Sequence, residues 1–139
     1  MPKYLKVDIE SAYRYCILAL TSNHPPSYLS FEIGSDGDKL LTHVSALGYK
    51  RFKLINQVSF REVNNMDCIY DRIARKAIQY MGYAQPRMIE RAGRFFISGH
   101  SSGPVPWNSD GQWQTADQIR AILQRKSLPD WYDIHAAIA

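Results

Sequence analysis

The sequence predicts an α/β fold in which helices cover a mostly parallel sheet, formed by a single domain over residues 1–139. Two observations support this. Within about the first 60 residues the hydrophobic pattern changes in the order strand, helix, strand, helix, strand, with short connections. The length is typical of one domain, and a hydrophobic fraction of 45% is enough for an ordinary core.

The first strand covers residues 4–10, where apolar and polar side chains alternate strictly. The two sets point to opposite faces, with Leu5, Val7 and Ile9 on one face and Lys6, Asp8 and Glu10 on the other. Ser11 opens a helix that runs to about Leu20. Because residues 15–20 are continuously apolar, we expect this helix to be buried, with Cys16 as a small core side chain.

The second strand is Tyr28–Ile33, and a turn then leads into a helix that Asp36 or Asp38 can cap. Apolar residues recur in that helix at helical spacing, at Leu40, Leu41, Val44 and Leu47. Gly48 is placed to end it. Residues Arg51–Gln57 then form the third strand.

The second half of the chain predicts a helix over 67–81 and a strand over 94–98. A loop rich in Gly, Ser and Pro fills residues 99–111. Thr115 and Gln118 have the spacing of a capping box, so the last helix begins there. The aromatic tail 131–135, together with Trp113, is expected to pack onto the sheet.

Several classes of protein are disfavoured by the composition. No apolar run approaches the roughly 20 residues that a membrane helix needs. The charged N-terminal residues do not form a signal peptide, so a cytoplasmic location and no membrane partner are expected. The two cysteines lack metal-ligand spacing, and no metal is expected.

A net charge of +4 raises the question of an anionic partner. Basic residues cluster between Arg72 and Arg94, which could form a surface for nucleic acid or a phosphorylated substrate. The alternative is the solvated face of a helix and its following loop. No RNA-binding or helix-turn-helix motif accompanies the cluster, and this favours the alternative.

The strand at residues 4–10 would be an open edge if the sheet held only these strands. Because proteins usually cover apolar edges, either another copy of the chain pairs there or the natural protein extends further toward its N-terminus. The sequence also has no glycine-rich loop of the kind that binds nucleotides.

Six segments of the chain resemble FkbM-type methyltransferases. Residues 4–10, 27–32 and 47–57 are similar to strands four, five and six of that family. Residues 101–104, Gly111 with Trp113, and 131–136 resemble its C-terminal signature. The resemblance covers nearly the whole chain, and Ser11 stands where the family usually has glycine.

The resemblance implies a three-layer, Rossmann-like methyltransferase sheet whose seventh strand is antiparallel. The family transfers a methyl group from S-adenosylmethionine to a hydroxyl, often on a sugar or a polyketide. This chain resembles strands four to seven only, so the fold it implies is incomplete. The cofactor-binding residues are then expected in an N-terminal half outside this chain, which would not be active alone.

Asp8 and Glu10 are the candidate catalytic residues, since they lie at the carboxyl end of the first strand, where such sheets bind ligands. A carboxylate there can hold a substrate hydroxyl or a cofactor amine, or accept a proton during methyl transfer. The alternative for Glu10 is a helix-stabilising charge at the N-terminus of the next helix.

Four residues are candidates for binding a small-molecule substrate: Glu32, Asn56, His100 and Trp107. Each has a structural alternative, because strand-end polar groups often pair locally and a loop histidine is often incidental. The aromatic face of Trp107 suits a sugar ring. The alternative function for the whole chain is a non-catalytic interaction module that dimerises through its first strand.

Overall fold

The structure is a computed structural model that describes residues 2–9, 12–57, 60–63, 88–91, 93–97, 103–125 and 132–138. The fold is mixed α/β, as predicted. Within these ranges no helix is long and apolar enough to cross a membrane. The elements are β1 (Tyr4–Val7), α1 (Tyr13–Leu18), β2 (Tyr28–Ile33), α2 (Gly37–Ala46), β3 (Arg51–Asn56), β4 (Met88–Arg91), β5 (Arg94–Ile97), a 3₁₀ turn (Pro106–Asn108), α3 (Ala116–Arg125) and β6 (Tyr132–Ala137).

The main sheet has four strands in the order β1-β2-β6-β3. β1 and β2 are parallel, whereas β6 is antiparallel to both of its neighbours, β2 and β3. Three strands therefore run in one direction and one opposes them. β3 follows β2 in the sequence, but the two strands are not neighbours in the sheet, because β6 lies between them.

The strand β6 was missed by the sequence analysis, which predicted only a packed aromatic tail. All six of its residues are buried. Ile134 pairs with Phe31 on one side and Leu54 on the other. The C-terminal segment is thus a central strand of the sheet, and the two longest ladders of the fold depend on it.

All three described helices contribute to one hydrophobic cluster on a single face of the sheet. Ile17 of α1, Leu40 and Val44 of α2, and Ile119 of α3 share this cluster with strand residues such as Phe31. A third layer is therefore not seen in the part of the chain that the structure describes. The predicted helix over 67–81 lies outside the described residues.

Of the two signals predicted at the ends of α2, the C-terminal glycine is confirmed and the N-terminal cap is not. Gly48 follows α2 with a φ of 102°, the left-handed conformation that glycine adopts without strain. Asp36 occupies the N-cap position of α2, but its side chain makes no capping hydrogen bond. The Asp36 carboxylate instead accepts a hydrogen bond of 2.8 Å from the Tyr13 hydroxyl.

The expected burial of the first helix is wrong. α1 has only six residues, and Ile17 is the only one of them that is buried. Tyr15 is 64% exposed, and Cys16 is exposed as well. A helix of less than two turns presents few positions to the core. Tyr13 is partly buried against it, whereas the other apolar residues of α1 face outward.

The predicted strand over 94–98 is present as β5, but it does not join the main sheet. It pairs with β4 in an antiparallel two-stranded sheet of its own. Phe96 of β5 contacts Phe60, with ring centroids 5.4 Å apart. β5 therefore belongs to a separate two-stranded sheet and not to the four-stranded one.

Candidate functional site

The face of the sheet opposite the helices carries a row of polar side chains. Strand register places Lys6 beside Ser30, Ser30 beside His135, and His135 beside Lys53. Three of these residues are almost fully buried, with Ser30 at 0%, His135 at 1% and Lys53 at 4% exposure. Burial of polar groups is unfavourable unless they are hydrogen-bonded, so this row requires specific partners.

The carboxyl ends of β1 and β2 meet the start of β6 at one edge of this polar face. Glu32 near the end of β2 pairs in register with Asp133 of β6. The Lys6 ammonium donates to Asp133 Oδ2 at 3.0 Å, and Gln57 Nε2 donates to Asp133 Oδ1 at 2.7 Å. Lys6 Nζ is also 3.8 Å from Asp8 Oδ2. We refer to Lys6, Asp8, Gln57 and Asp133 as the Lys6 network.

Burial dominates the electrostatics of the central strand. It raises the pKa of Asp133, although the neighbouring Lys6 and Gln57 act to lower it. Burial also lowers the pKa of His135 to about 3, and the positive charges of Lys6 and Lys53 act in the same direction. His135 is therefore neutral at ordinary pH, and it serves as a hydrogen-bonding group rather than a charge.

The loop over residues 103–115 covers the other end of the polar row through Ser109. Lys53 Nζ donates to the Ser109 carbonyl at 2.8 Å and lies 3.3 Å from its hydroxyl oxygen. The Ser109 hydroxyl donates to the Pro106 carbonyl at 2.9 Å. Because that proton is used, the contact of 3.4 Å between Ser109 Oγ and His135 Nδ1 is best satisfied with the histidine N–H as donor.

Glu62 holds the same loop from the outer side of β3. Its carboxylate accepts from Gln114 Nε2 at 2.9 Å and from the Gln112 backbone N–H at 3.3 Å. Gly111 lies against this carboxylate with a φ of 84°, and a Cβ at that position would collide with the Glu62 side chain. Only glycine fits there, so the loop path over the polar face is closely defined.

Trp107 lies at the other end of the sheet from Asp8. Its ring packs on Tyr4 and Tyr28, with centroid distances of 5.4 and 5.0 Å. Tyr4 begins β1 and Asp8 follows its last residue. Four residues at about 3.3 Å each put these two levels about 13 Å apart. The structure therefore does not bring Trp107 to the predicted site.

The remaining predicted residues divide into three groups. Asp8 and Glu32 lie at the same end of the sheet and, by alternation, on the same face. Asn56 pairs with Tyr132, which also pairs with Ile33 of the helix-packed face, so Asn56 does not share the face of Asp8. That placement corrects the prediction for Asn56. Glu10 and His100 lie outside the described residues.

Sequence reasoning missed most of the polar face, including Lys6, Asp133 and His135. The signal was present in both strands. Residues 132–135 alternate aromatic, acidic, apolar and basic, which is the same period of two that identified β1. The aromatic character of the tail concealed this alternation, and Lys6 was assigned only to the same face as Asp8 and Glu10, without a role.

Within the described ranges, no group of histidine, cysteine and acidic side chains is placed to hold a metal ion. No protein-family model, curated protein or solved structure matches this chain.

Proposed function

We propose that this chain is a methyltransferase-like domain, part of an S-adenosylmethionine-dependent O-methyltransferase that acts on a hydroxyl of a sugar, a polyketide or a similar small molecule. The observation that carries the proposal is the direction of β6. The resemblance to FkbM-type enzymes implies a sheet whose final strand is antiparallel. In this chain the final strand is the one that opposes β1, β2 and β3.

The position of Asp8 supports an acid–base role. Its side chain is 49% exposed and follows the carboxyl end of β1, where ligands bind in open α/β sheets. When bound, S-adenosylmethionine supplies an electrophilic methyl group. The Asp8 carboxylate would accept the proton that the acceptor hydroxyl loses when it is methylated.

The described residues fit the acceptor side of this reaction. Asp8 can take the proton, and the half-buried Glu32 at the same edge can hold a second hydroxyl of the substrate. Glu10 as a partner of Asp8 stays a prediction. The sequence contains no glycine-rich cofactor loop, so we assign no residue of this chain to the nucleoside. A cytoplasmic location and a small-molecule partner belong to the same proposal.

A methyl-transfer assay tests the proposal. The whole natural polypeptide that carries this sequence is incubated with methyl-labelled S-adenosylmethionine and a panel of hydroxylated sugars and polyketides. Asp8→Asn should lower the rate by about 100-fold, as expected for loss of a general base. The matched control is Asp117→Asn, since Asp117 is 89% exposed on α3 and should leave the rate unchanged. Equal rates for the two variants would contradict the role of Asp8.

Calorimetry with S-adenosylmethionine tests where the donor site lies. The 139-residue chain by itself is expected to show no micromolar binding, because the proposal places the donor-binding residues outside it. Micromolar binding by this chain alone would overturn that part of the proposal.

A second candidate function is an interaction module that pairs through β1. The observation that favours it is the position of β1 at one edge of the four-stranded sheet, followed by Ile9 at 50% exposure. Edge strands present backbone groups that another chain can pair with. Light scattering that shows a stable monomer at high concentration, together with protection of the β1 amides from hydrogen exchange, would exclude this candidate.

A further inference from the structure

We infer that Lys6 is a positioning residue that fixes the carboxylate of Asp8 at the reacting edge of the sheet, and that Asp133 and Gln57 hold Lys6 in place. The inference rests on the proposed function, in which Asp8 accepts the proton. It goes beyond that function because it assigns roles to three residues that do not touch the substrate.

The anchor of this arrangement is Asp133. Its side chain is only 6% exposed, and it lies on β6, which has a strand on each side. Both carboxylate oxygens are engaged, Oδ2 by Lys6 at 3.0 Å and Oδ1 by Gln57 at 2.7 Å. A carboxylate held by donors from two different segments has little rotational freedom, so it is a fixed point for the lysine.

Lys6, held in place by Asp133, in turn restrains the carboxylate of Asp8. Its side chain is 17% exposed, and its ammonium lies 3.0 Å from Asp133 and 3.8 Å from Asp8. An ammonium has three N–H groups, so it can bond to one carboxylate and attract another at the same time. Asp8 is far more exposed than Asp133, and it is therefore the carboxylate of the two that a substrate can reach.

A purely structural role for Lys6 makes a different prediction. In that case the lysine only compensates the buried charge of Asp133, and its loss lowers stability without acting through Asp8. The two roles are separated by asking whether the effect of removing Lys6 depends on the presence of the Asp8 carboxylate.

The kinetic test uses Lys6→Met, Lys6→Arg and the control Lys39→Met, since Lys39 is exposed on α2. Lys6→Met should lower kcat about tenfold with little change in KM, which is the pattern for a lost transition-state interaction. Lys6→Arg should recover most of the rate, and Lys39→Met should match the natural protein. In an Asp8→Asn background, Lys6→Met should cause no further loss.

Two kinetic results would overturn the inference: an unchanged kcat in Lys6→Met, or a full additional loss when Lys6→Met is combined with Asp8→Asn. If Lys6→Met does not fold, Lys6→Gln replaces it in the same comparison. A thermal melting curve is recorded for each variant. A melting midpoint well above the assay temperature establishes that the variant is folded when its rate is measured.

An NMR measurement tests the positioning without activity. Scalar couplings across χ1 of Asp8 should report one rotamer in the natural protein and averaged rotamers in Lys6→Met. The pKa of Asp133 should rise further in that variant, because Lys6 acts to lower it. If the natural protein shows no methyl transfer, the proposed function fails while this test remains valid. An Asp8 side chain that stays equally ordered without Lys6 would refute the inference whatever the activity.

Discussion

The two faces of the main sheet are built from the same strands but are held by different forces. The helix-packed face is apolar, and residues such as Phe31, Leu54 and Ile134 are completely buried there. The opposite face buries Lys53 and His135 beside Ser109 of the covering loop, and it buries Asp133 beside Lys6 and Gln57. Because successive residues of a strand point to opposite faces, each strand contributes to both environments.

The difference teaches where specificity lies in this fold. Apolar contacts are non-directional, so many side chains of similar volume can fill the helix-packed face. Each polar group on the other face needs a partner of the right kind at the right distance, as in the pairing of Lys6 with Asp133. We therefore expect substitutions on the first face to change stability alone, and substitutions on the second to change stability, pH dependence and activity.

The largest expected effect on stability comes from the apolar face. Phe31→Ala should lower the free energy of unfolding by about 3–5 kcal/mol, because it opens a cavity under the helices. The matched control is Phe95→Ala, in which the side chain is 66% exposed and the change should stay within about 0.5 kcal/mol. Urea denaturation measures both. Similar losses in the two variants would contradict the placement of the core.

The second largest effect on the free energy of unfolding is expected from removing the Lys6–Asp133 ion pair of the polar face. Asp133→Ala should destabilise the fold by about 2–3 kcal/mol, somewhat less than a fully buried pair because Lys6 keeps some solvent contact. The double variant Lys6→Met with Asp133→Ala should lose no more than the single variant, since the unpaired ammonium is removed with its partner. Additive losses in urea denaturation would show that Lys6 and Asp133 are not coupled.

The pH dependence gives a third contrast between the faces. The folded pKa of His135 is about 3, below its ordinary value of 6.5, so the unfolded state binds the proton more readily. The free energy of unfolding should therefore fall as the pH drops from 6.5 toward 3, by up to about 1.4 kcal/mol per unit from this residue.

The variant His135→Asn should remove this component of the slope. The raised pKa of Asp133 contributes in the opposite sense, because stability from a raised carboxyl pKa is lost as the pH rises. Comparing the two proteins at each pH isolates the histidine, since Asp133, Lys6 and Lys53 remain in both. Parallel curves of unfolding free energy against pH would show that His135 is not buried as a neutral group.

The smallest effect belongs to a helix end on the apolar face. The Thr115 backbone N–H donates to Gln118 Oε1 at 2.8 Å, and the Gln118 N–H donates to Thr115 Oγ1 at 3.3 Å. Thr115→Ala should lower the free energy of unfolding by about 1 kcal/mol. The exposed Thr21 offers the control, and Thr21→Ala should change it by less than about 0.5 kcal/mol. Equal melting temperatures for these variants would show that the capping box does not stabilise α3.

For the candidate site, the sequence predicted which residues lie at strand ends or in loops, but not which face or end of the sheet they occupy. The sequence placed Asp8 and Glu32 at strand ends, and the structure puts both at one edge of the polar face. Asn56 also ends a strand, but its parity assigns it to the other face. Trp107 is in the loop that covers the polar face, yet it packs at the far end of β1. A position at a strand end does not specify the face of the sheet, and a position in a loop does not specify the end of the sheet against which the side chain packs.

The sequence by itself determined the elements whose signals are local. The alternation of β1, the boundaries of β2, the glycine after α2 and the capping box of α3 each depend on neighbours a few residues away. Only the tertiary structure decided that β6 lies between β2 and β3, and therefore that Asp133 meets Lys6 across 127 positions of sequence. The physical reason is that strand pairing and buried polar contacts join distant segments, whose register is fixed by packing rather than by local propensity.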